Sequence, residues 1–196
     1  MKTKNLTICI MIIVLSATAG YIANRSRFMQ DDPSPSYTDH DPMPTDIKNL
    51  DDFYNTEPAQ NHDIRELPEK YSSFDAQQDH CFVIGAMVHN EDLYVDFMDH
   101  HEEKTNSYIR VVQNTVEGDA VLYDILYYEK TDKLYLVTDR TRDRFSTEAD
   151  RKIELREFDN TAEYEYENHL YWILYRGKVN DDNFRSDDVF IITMIN

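Results

Sequence analysis

The sequence predicts an α+β domain: an antiparallel sheet of about five to seven strands with one main helix packed on a face, behind an N-terminal membrane leader and a disordered tether. Three observations carry that prediction. Tyr108 to Tyr128 reads YIRVVQNTVEGDAVLYDILYY, two alternating runs around a turn. Leu93, Tyr94, Phe97, Met98 and His101 recur at helical spacing after Asn90. Further short apolar runs then follow at regular intervals to the end of the chain.

The central hairpin can be written face by face. Ile109 and Val111 share one side, with Tyr108, Arg110 and Val112 on the other. Glu117-Gly118-Asp119 interrupts the pattern with a residue that tolerates positive φ. Alternation then resumes, with Val121, Tyr123, Ile125 and Tyr127 opposed by Ala120, Leu122, Asp124 and Leu126. The Ile-Arg-Val-Val core, the short spacer, Glu-Gly-Asp and the following apolar strand resemble the heart of domain-of-unknown-function family 4362, over Phe74 to Arg176. The resemblance implies a small α+β domain in secreted or envelope-anchored proteins of Firmicutes, and no activity. Two departures limit what it implies. No lipobox cysteine follows the leader, and Arg156 and Tyr175 stand where many relatives carry paired cysteines, so neither lipid anchoring nor a disulfide is carried over.

Lys2 and Lys4 followed by the apolar run Leu6 to Leu15 form an export signal. Ala17-Thr18-Ala19 offers cleavage near Ala19, while Leu6 to Ala23, about 18 residues, reaches the lower limit of a single membrane span if uncleaved. Both fates put the body outside the cytoplasm, either anchored to the cell membrane or secreted. Residues 24–73 contain all six prolines and many aspartates, which predicts a flexible tether ahead of a domain at 74–196. Within the tether Ile47, Leu50, Phe53 and Tyr54 have the spacing of a short amphipathic helix or docking peptide.

Cys81 to Val88 predicts a strand interrupted at Gly85, and Asn90 a cap for the helix that runs to about Thr105. Beyond the hairpin, Lys133 to Thr138, Lys152 to Phe158, His169 to Tyr175 and Val189 to Ile195 predict strands, with turns near Asn160 and Asn168 and a polar Asn180 to Asp188 connection. Asp139 to Asp150 lacks either period.

A formal net charge of −18 opposes general affinity for nucleic acid and leaves cationic partners open. Phosphate loops, nucleophile elbows, dinucleotide fingerprints and paired-cysteine metal knuckles are all missing, so no cofactor is implied. Three readings remain. Asp96, His100 and Glu103 share a helix face at metal-ligand spacing. Glu117 with Asp119, or Asp124, could supply the carboxylates of a small acid-base hydrolase. Cys81 reads as a buried thiol. The 14 tyrosines favour the third reading, a non-enzymatic module that binds an envelope component or protein partner through strand residues such as Tyr123, Tyr127, Tyr135 and Tyr171.

Overall fold

A sheet with two apolar faces needs a cover on each, and the chain supplies two different covers. The computed structural model describes residues 46–166, 169–177 and 188–195. The leader, the cleavage site near Ala19, the first part of the tether, Asn168 and nearly all of the Asn180 to Asp188 connection lie outside them. Among the described residues no helix is long and apolar enough to cross a membrane.

The main sheet has six strands in the order β2-β1-β3-β4-β5-β6. They are β1 (Phe82–Ile84), β2 (Val88–His89), β3 (Ser107–Asn114), β4 (Ala120–Tyr128), β5 (Lys133–Asp139) and β6 (Ile153–Phe158). The β3-β4 hairpin holds the expected register, Arg110 opposite Asp124 and Val112 opposite Leu122. Its turn closes through Thr115 N to Asp119 O at 2.8 Å, with Gly118 at φ 88°. All nine β4 residues are buried, because both faces of this central strand are covered. The expectation of a wholly antiparallel sheet is corrected at β1, which pairs parallel to β3. The intervening helix α3 (Glu91–Glu102) supplies the crossover that parallel strands need. The run expected as one strand at Cys81 to Val88 is the tight β1-β2 hairpin, paired antiparallel.

One face is covered by α3 and by a second sheet of three strands, β7 (Asn160–Tyr166), β8 (His169–Tyr175) and β9 (Val189–Ile195). The last two match their expected limits. Asn160, expected in a turn, begins β7, since only Asp159 separates it from β6. The chain changes sheet at that corner, so one alternating run serves both. Phe82, Phe97, Val111, Ile125, Leu136, Trp172, Leu174 and Ile192 form the core between the layers. Trp172 takes Tyr94 and Phe97 edge-on at 4.8 and 5.5 Å.

The helix α3 begins as expected after Asn90, but Asn90 is left-handed and makes no side-chain cap. Its amide instead donates to Cys81 O at 2.8 Å, tying the helix start to β1. Beyond its cap at Glu103 the chain turns left-handed at Lys104 and closes the helix through Thr105 N to His100 O at 3.0 Å.

The opposite face is covered by residues expected to be tether. Ile47, Phe53, Tyr54, Ala59, Ile64 and Tyr71 pack with Val83, Val112, Leu122, Leu126, Tyr135 and Val137 in a second core. The short helix α1 (Leu50–Tyr54) is started by Asn49, whose side chain accepts from Asp52 N. A second, α2 (Ser73–Gln78), has a reciprocal capping box between Ser72 and Asp75. Scarcity of aliphatic side chains predicted a tether, yet Ile47, Leu50, Ile64 and Leu67 of its described part pack on the sheet. The amphipathic spacing of Ile47, Phe53 and Tyr54 is thus a docking segment for this chain's own sheet. A chain beginning at residue 74 should lose the cooperative urea transition that a chain beginning at residue 46 keeps, since burial of each large apolar side chain contributes about 1.5–3 kcal/mol.

Candidate functional site

Asp124 is the one carboxylate of the hydrolase reading that lies in the sheet, and it is completely buried. The β3-β4 register sets it opposite Arg110, whose Nε and Nη2 donate to its two oxygens at 2.7 Å each. Tyr54 from α1 donates its hydroxyl to the same carboxylate at 2.8 Å. Arg110 also donates to the carbonyl of His62, and the His62 ring stacks on Tyr108 at 5.0 Å. Burial, then the Asp124 charge, push the Tyr54 and Tyr108 phenols up. Burial opposes the charge on Arg110, but Asp124 more than restores it. Both Asp124 oxygens and the Arg110 fork are occupied, the arrangement of a structural clamp rather than of an acid-base pair, which needs a cleft.

The other polar groups of this face behave alike. Arg142 pairs with Asp139 and donates to the carbonyls of Leu67 at 2.9 Å and Pro68 at 3.0 Å. Asp119 accepts from Arg144 Nη2 at 2.7 Å, and that bond holds its carboxyl below the usual range. Glu117 is exposed at the turn, apart from this pairing. Cys81 lies against the Tyr71 hydroxyl at 3.5 Å, and burial pushes its thiol up. The thiolate needed for nucleophilic chemistry is disfavoured there.

The helix cluster does not assemble. His100 turns its Nδ1 back onto Asp96 O of its own helix at 2.7 Å, while Asp96, His100 and Glu103 all face solvent. Among the described residues no three His, Cys, Asp or Glu side chains converge to hold a metal ion.

Three of the four tyrosines expected on an open face are buried. Tyr123, Tyr127 and Tyr135 are each at most 5% exposed, because the strands that carry them, β4 and β5, are covered on both faces. Tyr171 differs. Trp172, Leu174, Ile192 and Met194 point into the core, so alternation turns Tyr171, Ile173, Ile191 and Thr193 outward. The ladder sets Tyr164 opposite Tyr171 and Ala162 opposite Ile173, which in turn faces Ile191. Ring centroids lie 6.2 Å apart from Tyr164 to both Tyr166 and Tyr171, and 6.3 Å from Tyr171 to His169. Tyr166 is 51% and Ile191 53% exposed. The result is a flat aromatic and β-branched surface on the outside of the second sheet. Tyr164 and Tyr166 carried the same strand signal as the buried tyrosines. Only the layer order separates the two groups.

Residues 78–169 match DUF4362, a domain of unknown function. This is the family that the Ile-Arg-Val-Val and Glu-Gly-Asp elements resemble. No curated protein and no solved structure gives a match. The DUF4362 segment runs from the end of α2 to the start of β8, and so holds the clamp residues Arg110, Asp124, Asp139 and Arg142.

Arg110→Met should destabilise the protein by about 3–5 kcal/mol, because it leaves Asp124 buried and unpaired. Pairing it with Asp124→Leu should recover part of that loss in the urea midpoint. The pH dependence has a separate origin. His101 lies edge-on to Tyr127 at 4.8 Å, and burial, then Lys104, lower its pKa. The folded chain therefore favours neutral imidazole. Its contribution is complete above the unfolded value of about 6.5 and is lost as pH falls through the lower folded value. His101→Gln should flatten the fall of the urea midpoint in that window, ahead of the carboxylate losses below about pH 4.

Proposed function

We propose that this protein is a non-enzymatic extracytoplasmic module that binds a protein partner of the envelope on the outer face of its second sheet. The observation that supports it is the surface formed by Tyr164, Tyr166, Tyr171, Ile173 and Ile191. Tyrosine rings give contact area at little entropic cost and keep a hydroxyl for the rim. A protein fits this face better than a glycan, because Ala162, Ile173 and Ile191 lie beside the rings where a sugar would need hydrogen-bond partners. Charge narrows the partner further. The chain carries −18 overall, so the partner presents an apolar centre ringed by Lys and Arg. A second copy would bring like charge to like. The leader Leu6 to Ala23 places the module outside the cytoplasm, either held at the membrane or released near Ala19.

A photo-crosslinking residue at position 166 in the native cell should give one discrete protein adduct, and the same residue at exposed Glu57 none. Ile191→Asp should remove the adduct, with binding weakened at least about thirtyfold as for a central contact and stability changed by less than about 0.5 kcal/mol. Absence of an adduct, a self-adduct, or equal binding to purified cell-wall glycan by wild type and variant would each refute the protein-partner reading. Sequencing the mature N-terminus, Met1 or Gly20, decides between anchor and secreted form.

A further inference from the structure

At one end of the main sheet four large apolar side chains stand in solvent. Val116, at the tip of the β3-β4 turn, is 99% exposed. Phe74 in α2, Met87 in the β1-β2 turn and Phe145 in the loop after β5 are each about two-thirds exposed. The topology gathers them. β1 and β3 run parallel with Ile84 beside Gln113, so the turns that follow the two strands leave the sheet at the same end. Asn114, the last residue of β3, donates to Ser73 Oγ and so holds the start of α2 there. Arg144 donates to Asp119 at 2.7 Å, which fixes the loop of Phe145 to the base of the β3-β4 turn. Neighbouring strands lie about 4.8 Å apart, so the array from β1 to β5 keeps the four within about 20 Å. Single exposed apolar side chains are ordinary, but a group on the tips of adjoining loops is not.

The backbone of these tips is fitted to leave water. In the β3-β4 turn Thr115 N donates to Asp119 O at 2.8 Å and Gly118 N to Thr115 O at 2.9 Å. Gly85 N donates to Met87 O at 3.3 Å, and the amides of Phe145 and Ser146 donate to Asp143 Oδ1 at 3.2 and 3.1 Å. Amides bound within the chain lose less on entering an apolar medium than amides bound to water. Asp119 and Asp143 are buried in making these contacts, while Glu69, Lys70, Glu117 and Arg144 stand exposed around the tips.

We propose that this end of the domain docks on a lipid bilayer, with Phe74, Met87, Val116 and Phe145 entering the boundary between headgroups and acyl chains of a zwitterionic membrane. Side chains on separate loops present points rather than a plane. A fluid surface yields to points, whereas a protein would need a pocket for each. The net charge of −18 opposes an anionic surface, so insertion of apolar side chains supplies the attraction. Docking requires the anchored form proposed above, in which Leu6 to Ala23 keeps the chain at the membrane. The described chain starts at the opposite end of the sheet, where the charge of Asp46 acts on the Tyr135 phenol, itself a donor to Thr131 of the β4-β5 turn at 3.2 Å. Residues 24–45 span at most about 75 Å when extended. The nine residues of β4 measure about 30 Å, so an anchored chain reaches the bilayer with its far end. Anchoring also raises the effective concentration to roughly the millimolar range, where a weak contact is occupied.

The test uses the full chain with Cys9→Ser, reconstituted in phosphatidylcholine vesicles with and without brominated acyl chains. A single environment-sensitive fluorophore is attached at Val116→Cys, at Phe145→Cys or, as control, at Glu129→Cys in the β4-β5 turn; Cys81 is buried. Quenching at 116 and 145 should exceed that at 129 at least about threefold and survive raised salt. Combining Phe74→Asp, Met87→Asp and Phe145→Asp should bring position 116 to the level of 129 with the urea midpoint unmoved, since all three side chains are exposed. Equal quenching at the three positions, or quenching at 116 that persists in the triple variant, overturns the docking and leaves the anchor. A chain that fails to float with the vesicles overturns both. Shielding of the probes only after membrane proteins are added assigns the tips to a protein and overturns the lipid reading. The adduct expected at position 166 is independent of every one of these outcomes.

Discussion

The bond on which the architecture rests is the buried pair of Arg110 and Asp124. A six-stranded sheet exposes two apolar faces, and this one covers its second face with chain that is mostly neither helix nor strand. Irregular backbone laid on an apolar surface brings carbonyl groups out of water, and each needs a donor. Arg110 meets that need at His62, and Arg142 at Leu67 and Pro68. Each arginine is held in place by an aspartate, Asp124 or Asp139, on the strands beneath. The ion pairs cost desolvation, and their gain is specificity: only one placement of residues 62–68 satisfies both forks.

Much of this was legible from alternation. The two sides of the hairpin at Ile109/Val111 and Tyr108/Arg110/Val112 are the two cores of the protein, and the turn at Gly118 sets the register that joins Arg110 to Asp124. An Arg and an Asp of opposite strands, both on an inward face, were the available sign of a buried pair. Read singly, Asp124 resembled a catalytic carboxylate. The missing element was the partner layer, because residues 46–73 have too few aliphatic side chains to fold alone. Phe53, Tyr54, Ile64 and Tyr71 nonetheless suffice once a flat apolar face is waiting. Their two prolines fit the irregular path: Pro58 starts a single 3₁₀ turn at Glu57–Ala59, and the Pro68 carbonyl accepts from Arg142.

The tyrosines show the opposite limit of a strand pattern. Alternation says which residues share a face and is silent on what lies over that face. Tyr123, Tyr127 and Tyr135 share their pattern with Tyr164 and Tyr171, and burial separates them only because the main sheet is the middle layer and the second sheet an outer one. The division of the strands into two sheets was equally hidden. Asp159 is a single residue between β6 and β7, and nothing in its neighbours marks a corner.

Layering also divides the chain's features along its length. The segment matching DUF4362 contains the clamp. The outer tyrosine face is differently composed, since Tyr171, Ile173 and Ile191 lie on β8 and β9, past the end of that segment. A role carried by the outer face therefore requires strands that the matched segment does not include. The clamp thus lies wholly within the matched segment, whereas the tyrosine face is completed by strands outside it.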